Sequence, residues 1–148
     1  HLSIRRQRQM CIRDSVRRIV GAVAVQVSNV LILDKMIEEF LDNLGIFFYT
    51  NMVRYPNVLS PQVLPQELKD LAISRLEAIK PRLKDFKLLK DEPVLLDVTM
   101  GQVQGVINFL RANDLNHLWK ECVEFNQRLD KTRNQSFVNV NPEFEPYV

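Results

Sequence analysis

The reading of the chain turns on three consecutive stretches, IVGAVAVQVSN (residues 19–29), VLILDKMIEEFLDNLG (30–45) and IFFYTNMV (46–53). In the first, Val23, Val25 and Val27 share one parity, while Ala22, Ala24, Gln26 and Ser28 share the other. A strand turns successive side chains to opposite faces, so residues 19–27 predict a strand with one branched face for packing and one small, polar face. Ser28 or Asn29 is placed to cap a helix that follows at once, since a short side-chain oxygen accepts from the free N–H groups of a first turn. Leu33, Met36, Ile37, Phe40, Leu41 and Leu44 then recur at helical spacing, and Gly45 supplies a left-handed stop. Residues 46–53, aromatic and β-branched, predict a second strand. Strand, helix and strand make a βαβ unit, whose strands are expected to run parallel with a right-handed crossover and to be covered by helices on one side.

Beyond this unit, Pro56, Pro61 and Pro65 forbid regular structure over most of residues 54–65. From Gln66 an apolar stripe of Leu68, Leu71, Ala72, Leu76, Ile79 and Leu83 predicts a helix that Pro81 kinks or divides. The polar break at residues 90–93 marks a boundary between an α/β part, 16–90, and a helical extension, 91–148. In the extension Asp97 or Thr99 is expected to open a helix carrying Val103, Val106, Ile107 and Leu110. Asn113 and Asp114 turn into another, with Leu115, Leu118, Trp119, Cys122 and Leu129. Residues 136–148, with Pro142 and Pro146, are expected to lie extended over the surface.

Composition narrows the class. The 148 residues carry 20 Lys and Arg against 18 Asp and Glu, and 46% are hydrophobic, which excludes a disordered tail and a collagen-like repeat. Two cysteines, Cys11 and Cys122, build no disulfide framework and no zinc knuckle. The apolar run 19–27 follows Arg17 and Arg18, but Gln26, Ser28 and Asn29 interrupt it well short of the roughly 20 residues that span a bilayer. A cytoplasmic protein, without membrane attachment, is the expectation. Arg5, Arg6, Arg8 and Arg13 lie in RRQRQMCIRDS (5–15), which resembles the in-frame translation of a transposase-based sequencing adapter. Residues 1–15 are therefore set aside as a non-native segment. Without their four arginines and one aspartate, 20 and 18 become 16 and 17, a formal net charge of −1, and no case for nucleic acid survives. An adapter joined to coding sequence is what the C-terminal piece of a longer protein would carry.

Three blocks together point to a family. The strand ending in Ser28 and Asn29, the run NMVRYP (51–56) with LS (59–60) and LP (64–65), and the late stretch LDKTRNQSF (129–137) with NPE (141–143) resemble radical S-adenosylmethionine proteins of the twitch-containing group. The likeness covers most of residues 19–145. It implies the end of a partial (β/α)₆ barrel followed by a mainly helical extension. It also implies S-adenosylmethionine and a [4Fe–4S] cluster as cofactors of the parent enzyme, whose 5′-deoxyadenosyl radical takes hydrogen from a substrate that the sequence does not name. The family holds its cluster through a C-x-x-x-C-x-x-C motif early in the barrel, which this sequence lacks, and Cys122 alone supplies none of the usual sets of four ligands. The stretch is thus expected to be inactive alone, to have no catalytic residue of its own, and to need the N-terminal barrel half as its partner. A first strand deprived of its neighbour leaves an exposed ladder, so association or marginal stability is expected unless the extension covers it.

In parallel α/β barrels, chemistry gathers at the C-terminal ends of strands. That places Gln26, Ser28 and Asn51 as candidates to line the space for S-adenosylmethionine or substrate, and Arg54, beside Tyr55, as a candidate for a substrate carboxylate or phosphate. The bland readings are a helix cap for Ser28 and Asn29, a satisfied buried amide for Asn51 and a solvated loop for Arg54. His117 reads as a surface residue, Trp119 as packing, Cys122 as a small core hydrophobe, and Glu38 with Glu39 as a solvated face. Asp130, Lys131 and Arg133 are expected to pair along the last helix. Gly101 and Gly105 lack the lysine and strand context of a phosphate loop. The rival to the enzyme reading is a small, mainly helical module whose apolar stripes meet a protein partner.

Overall fold

A computed structural model describes residues 19–148; the adapter-like stretch 1–15, with Cys11 and four arginines, lies outside the described residues. Strands β1 (Val20–Val25) and β2 (Phe47–Met52) pair in parallel, with Ala22 opposite Tyr49, Ala24 opposite Asn51 and Val25 opposite Met52. Between them a short 3₁₀ turn, Val30–Ile32, leads into helix α1 (Leu33–Glu38). The helix widens into a π turn over Glu39–Leu44 and stops at Gly45, whose φ of 63° is the left-handed conformation that a side chain disfavours. The architecture is mixed α/β and mostly helical, built around this two-stranded sheet.

The parity of the first strand decides which face is packed. Val23, Val25 and Val27 are buried in a core shared with Phe48, Leu33, Ile37, Leu41, Leu76, Val106 and Ile107. Ala22 and Ala24 face outward beside Tyr49 and Asn51, with Tyr49 52% exposed. One side of the sheet is therefore roofed by helices, while on the other Phe47 is buried and Ala22, Ala24, Tyr49 and Asn51 are exposed.

Each outer edge of the sheet is met by a carboxamide. The Val53 N–H donates to the Val25 carbonyl, so the Ala24 carbonyl and the Gln26 N–H must point away from β2. Asn29 answers both: its Nδ2 donates to the Ala24 carbonyl and its Oδ1 accepts from the Gln26 N–H, each at 2.9 Å. Asn29 therefore binds the strand it leaves and makes no side-chain cap on the turn it precedes, contrary to the capping expectation. On the far edge Gln102 does the same to β2, accepting from the Thr50 N–H at 2.6 Å and donating to the Phe48 carbonyl at 3.1 Å. In both cases the amide joins a carbonyl to the N–H two residues on, as a neighbouring strand would. Upstream of the Asn29 contact, the outward backbone groups of Ala22 have no partner among the described residues.

Helix α2 (Gln66–Ile79) follows Pro65 and buries Leu68, Ala72, Ile73, Leu76 and Ile79; a 3₁₀ segment, Lys80–Asp85, takes over at Pro81. Helix α3 (Pro93–Ala112) begins four residues before Asp97, because a proline at the first position needs no N–H partner. Its side of the polar break shares one continuous core with the sheet. Helix α4 (Trp119–Arg133) ends at Asn134 in the left-handed conformation. The tail is not extended. Ser136 caps helix α5 (Phe137–Val140) by accepting from the Asn139 N–H, and a 3₁₀ turn, Pro142–Tyr147, closes the fold. Two buried rings, Phe137 and Phe144, stack at 4.5 Å and draw this segment inward despite its prolines.

Two ion pairs bind these layers. Lys69, 2% exposed, donates from Nζ to Asp114 Oδ1 at 2.7 Å, and Arg75 joins the Leu31 carbonyl at 2.7 Å to Glu143 at 2.6 Å. The hydrogen bond from Lys69 holds the Asp114 carboxyl below its usual value, and that from Arg75 does the same for Glu143. A carboxyl with a depressed folded pKa contributes stability above its unfolded pKa and loses it as the pH falls through the folded value. The urea midpoint is therefore expected to drop as the pH is lowered from about 5 towards 2, a range starting just above the ordinary carboxyl values. Glu143→Gln should flatten that fall; a pH profile identical to that of the parent chain would show that the pair contributes nothing.

Candidate functional site

The chain leaves β1 through Gln26, Val27, Ser28 and Asn29. The Val27 N–H donates to the Leu59 carbonyl at 3.0 Å while its side chain is buried, and the Asn29 and Val30 N–H groups both return to the Gln26 carbonyl at 3.1 Å. This tight exit places Gln26 and Ser28 on the wall of a cleft of about 660 Å³, the size of a small-molecule site. The opposite wall is one face of α4, where Asn126, Leu129, Asp130 and Arg133 recur at spacings of three and four. Met36 and Phe125 add apolar surface, and Gln135, Ser136 and Asn141 close the third side.

Hydrogen bonds fix the orientation of the buried amides. Asn126 donates from Nδ2 to the Cys122 carbonyl at 2.9 Å, one helical turn back. Asn141, fully buried, donates from Nδ2 to the Ser28 carbonyl at 2.9 Å and leaves its buried Oδ1 without a partner among the described residues. Asp130 accepts from the Phe137 N–H at 2.7 Å, which joins α4 to the tail. The expected pairing of Asp130, Lys131 and Arg133 along the helix does not occur, and the Arg133 guanidinium has no ion partner among the described residues. Cys122 lies behind Asn126, where burial pushes its thiol up to about 12. Such a thiol stays protonated at neutral pH and is a poor nucleophile.

The sequence candidates separate in space. Gln26 and Ser28 share the cleft. Asn51 does not line it: it is exposed on the face of the sheet away from the valines, opposite Ala24. Arg54 lies 4.9 Å above the Phe109 ring, beside a hollow of about 330 Å³ with Tyr55 and Asp114. That stacking alone is worth about 0.5–1 kcal/mol at an exposed position, so it explains the arginine without a substrate. Trp119 packs on Phe144 and donates to the Tyr147 carbonyl, His117 is exposed, and Glu38 pairs with Arg82.

Asn126 carries no expectation from the sequence, while Arg133 is expected only to pair along its helix and Asn141 enters only as part of the resemblance. One signal was present for the first: a carboxamide interrupting the apolar stripe of Cys122 and Leu129. The cleft offers hydrogen-bond acceptors, a cation and apolar wall, which suits binding. Among the described residues no group of three or more His, Cys, Asp or Glu could hold a metal ion, and no helix is long and apolar enough to cross a membrane. Comparison of the chain with family models, with curated proteins and with solved structures finds no match in any of the three.

Proposed function

We propose that this chain is the closing part of a radical S-adenosylmethionine enzyme of the twitch-containing group, contributing wall and lining to a site completed by the N-terminal barrel half. One observation carries the reading. A parallel pair normally has both faces covered, yet here the valine face is covered along its length while on the other face Phe47 alone of β2 is buried. The exposed part of that face bears Ala22, Ala24, Tyr49 and Asn51, small or polar groups of the kind that leave room for a ligand inside a barrel. In this reading Gln26 and Ser28 face S-adenosylmethionine or substrate from the cleft at the end of β1, while Asn51 faces the missing barrel half from the exposed part of the sheet and Arg54 stands apart beside its own hollow.

The described residues do not fit the [4Fe–4S] cluster itself. Cys122 is their sole cysteine, buried and held as a thiol, so the cluster ligands belong to the other barrel half. What the cluster and S-adenosylmethionine supply is a hydrogen-abstracting radical. What these residues supply is orientation of the bound molecule and exclusion of water. Extending the reading frame upstream in the source DNA is expected to reveal C-x-x-x-C-x-x-C. The extended protein, reconstituted anaerobically with iron and sulfide and then reduced, should release 5′-deoxyadenosine from S-adenosylmethionine. An upstream frame without three closely spaced cysteines overturns the proposal.

A further inference from the structure

We infer that the cleft between the end of β1 and the face of α4 binds a monocarboxylate with an apolar body, an aryl- or alkyl-carboxylic acid in its ionised form. This is the cleft in which the radical-enzyme reading places S-adenosylmethionine or substrate, but the inference uses only its walls, so either can fail without the other. Charge complementarity carries it. Arg133 lines the cleft, is exposed, and makes no hydrogen bond or ion pair among the described residues, unlike Arg75 and Arg82, which hold Glu143 and Glu38. Its own helix offers it Asp130, three residues back, yet the two do not pair: Asp130 turns one oxygen to the Phe137 N–H at 2.7 Å and is spent on docking the tail. Phe125, Leu129 and Arg133 are spaced by four and share one face of α4.

Long helical side chains lean back towards the N-terminus, so Arg133, the last residue of α4, lies over the cleft rather than beyond the helix end. Its planar fork takes a carboxylate in two parallel hydrogen bonds. Beside it Gln135 lines the cleft, is exposed, and spends its carboxamide on no other group, which supplies a further donor. The rest of the wall suits hydrocarbon. Met36, Leu59, Phe125 and Leu129 are half-buried and Val140 is 61% exposed, so every group the ligand would touch is open to solvent. Covering that surface is favourable in proportion to its area. The charges also set how many anionic groups fit: one arginine faces one carboxylate, and Asp130 on the same wall repels a second. Dianionic phosphates are disfavoured for the same reason, and an amine meets the guanidinium as a like charge.

The test is a titration of the purified full chain, without iron, sulfide or reductant, with 3-phenylpropionate, octanoate, 3-phenylpropan-1-ol, phenethylamine and phenyl phosphate, followed by ¹H–¹⁵N correlation spectra. The two carboxylates are expected to shift the backbone amide signals of residues 133–140 and of Gln26 and Ser28 saturably. The alcohol keeps the hydrocarbon and lacks the charge, so it should bind about tenfold more weakly, a difference of one charge-assisted contact. Arg133→Gln, an exposed change, should weaken the carboxylates by about the same factor and leave the alcohol unaffected. Arg111→Gln, at an exposed arginine that lines a separate hollow and has no ion pair among the described residues, should alter neither. No saturable shift at these residues would overturn the inference. So would an alcohol, amine or phosphate that binds as tightly as the carboxylates, an Arg133→Gln chain that binds them as the parent does, or an equal loss in Arg111→Gln.

Discussion

Phe144→Ala is expected to lower the unfolding free energy by about 3–5 kcal/mol, the range for removing a buried aromatic ring. Phe144 has no solvent exposure, stacks on Phe137 with ring centroids 4.5 Å apart and meets Trp119 at 5.7 Å. The loss should not be confined to a cavity. The last turn is held by this ring, by Trp119 donating to the Tyr147 carbonyl and by Arg75 on Glu143. Asn141, three residues before the ring, reaches the Ser28 carbonyl at the exit of β1. Once the ring is gone the tail should detach and the cleft lose its third wall. Urea denaturation gives the magnitude, and limited proteolysis gives the location: cleavage should move to residues 136–148 under native conditions. A loss below about 1 kcal/mol, with the tail still protected, would mean that the other contacts suffice without the stack.

Gln102→Ala should cost about 1–3 kcal/mol and also change how the protein behaves at high concentration. The substitution leaves the Thr50 N–H and the Phe48 carbonyl without the amide that joins them. An unpaired strand edge is a template for another chain, so sedimentation should show association that the parent lacks at equal concentration. Gln102→Glu separates the two roles: it keeps an acceptor for Thr50 but sets a carboxylate against the Phe48 carbonyl. It should be at least as unstable as the alanine variant. An alanine variant of unchanged stability and unchanged sedimentation would show that solvent replaces the amide at no cost.

Local pattern made the sheet legible and long-range contacts made the rest opaque. The alternation of valine with alanine in residues 22–27 predicts which face of β1 is buried, because strand periodicity alone decides it. Gly45 and Cys122 are readable for the same reason: a stop after a helical stripe, and a small residue within one. Asn29 departs from the capping expectation because a short polar residue before a helix has two competing uses, a cap on the helix or a bond to the backbone it has just left. Nothing near Gln102 signals that its amide would find a strand more than fifty positions earlier. The tail departs from the extended expectation because two prolines suppress regular structure in a short window, while the stack of Phe137 on Phe144 and the bond from Trp119 to the Tyr147 carbonyl, 28 residues on, act only once the chain has folded back. Of the site, parity found Gln26 and Ser28. It could not find Asn126, Arg133 or Asn141, which join the cleft through the docking of α4 and the tail, nor show that Asn51 and Arg54 face elsewhere.

The two edge amides also differ in when they can act during synthesis. Asn29 lies five residues from the carbonyl it binds, so the outer edge of β1 at Ala24 and Gln26 is guarded almost as soon as it leaves the ribosome. The Thr50 N–H must wait for a side chain 52 residues downstream. At about 5–20 residues per second, the rim of β2 stays bare for roughly 3–10 s on every nascent chain. Slowing translation between codons 53 and 102 should therefore raise aggregation in the cell, whereas slowing it before codon 29 should not.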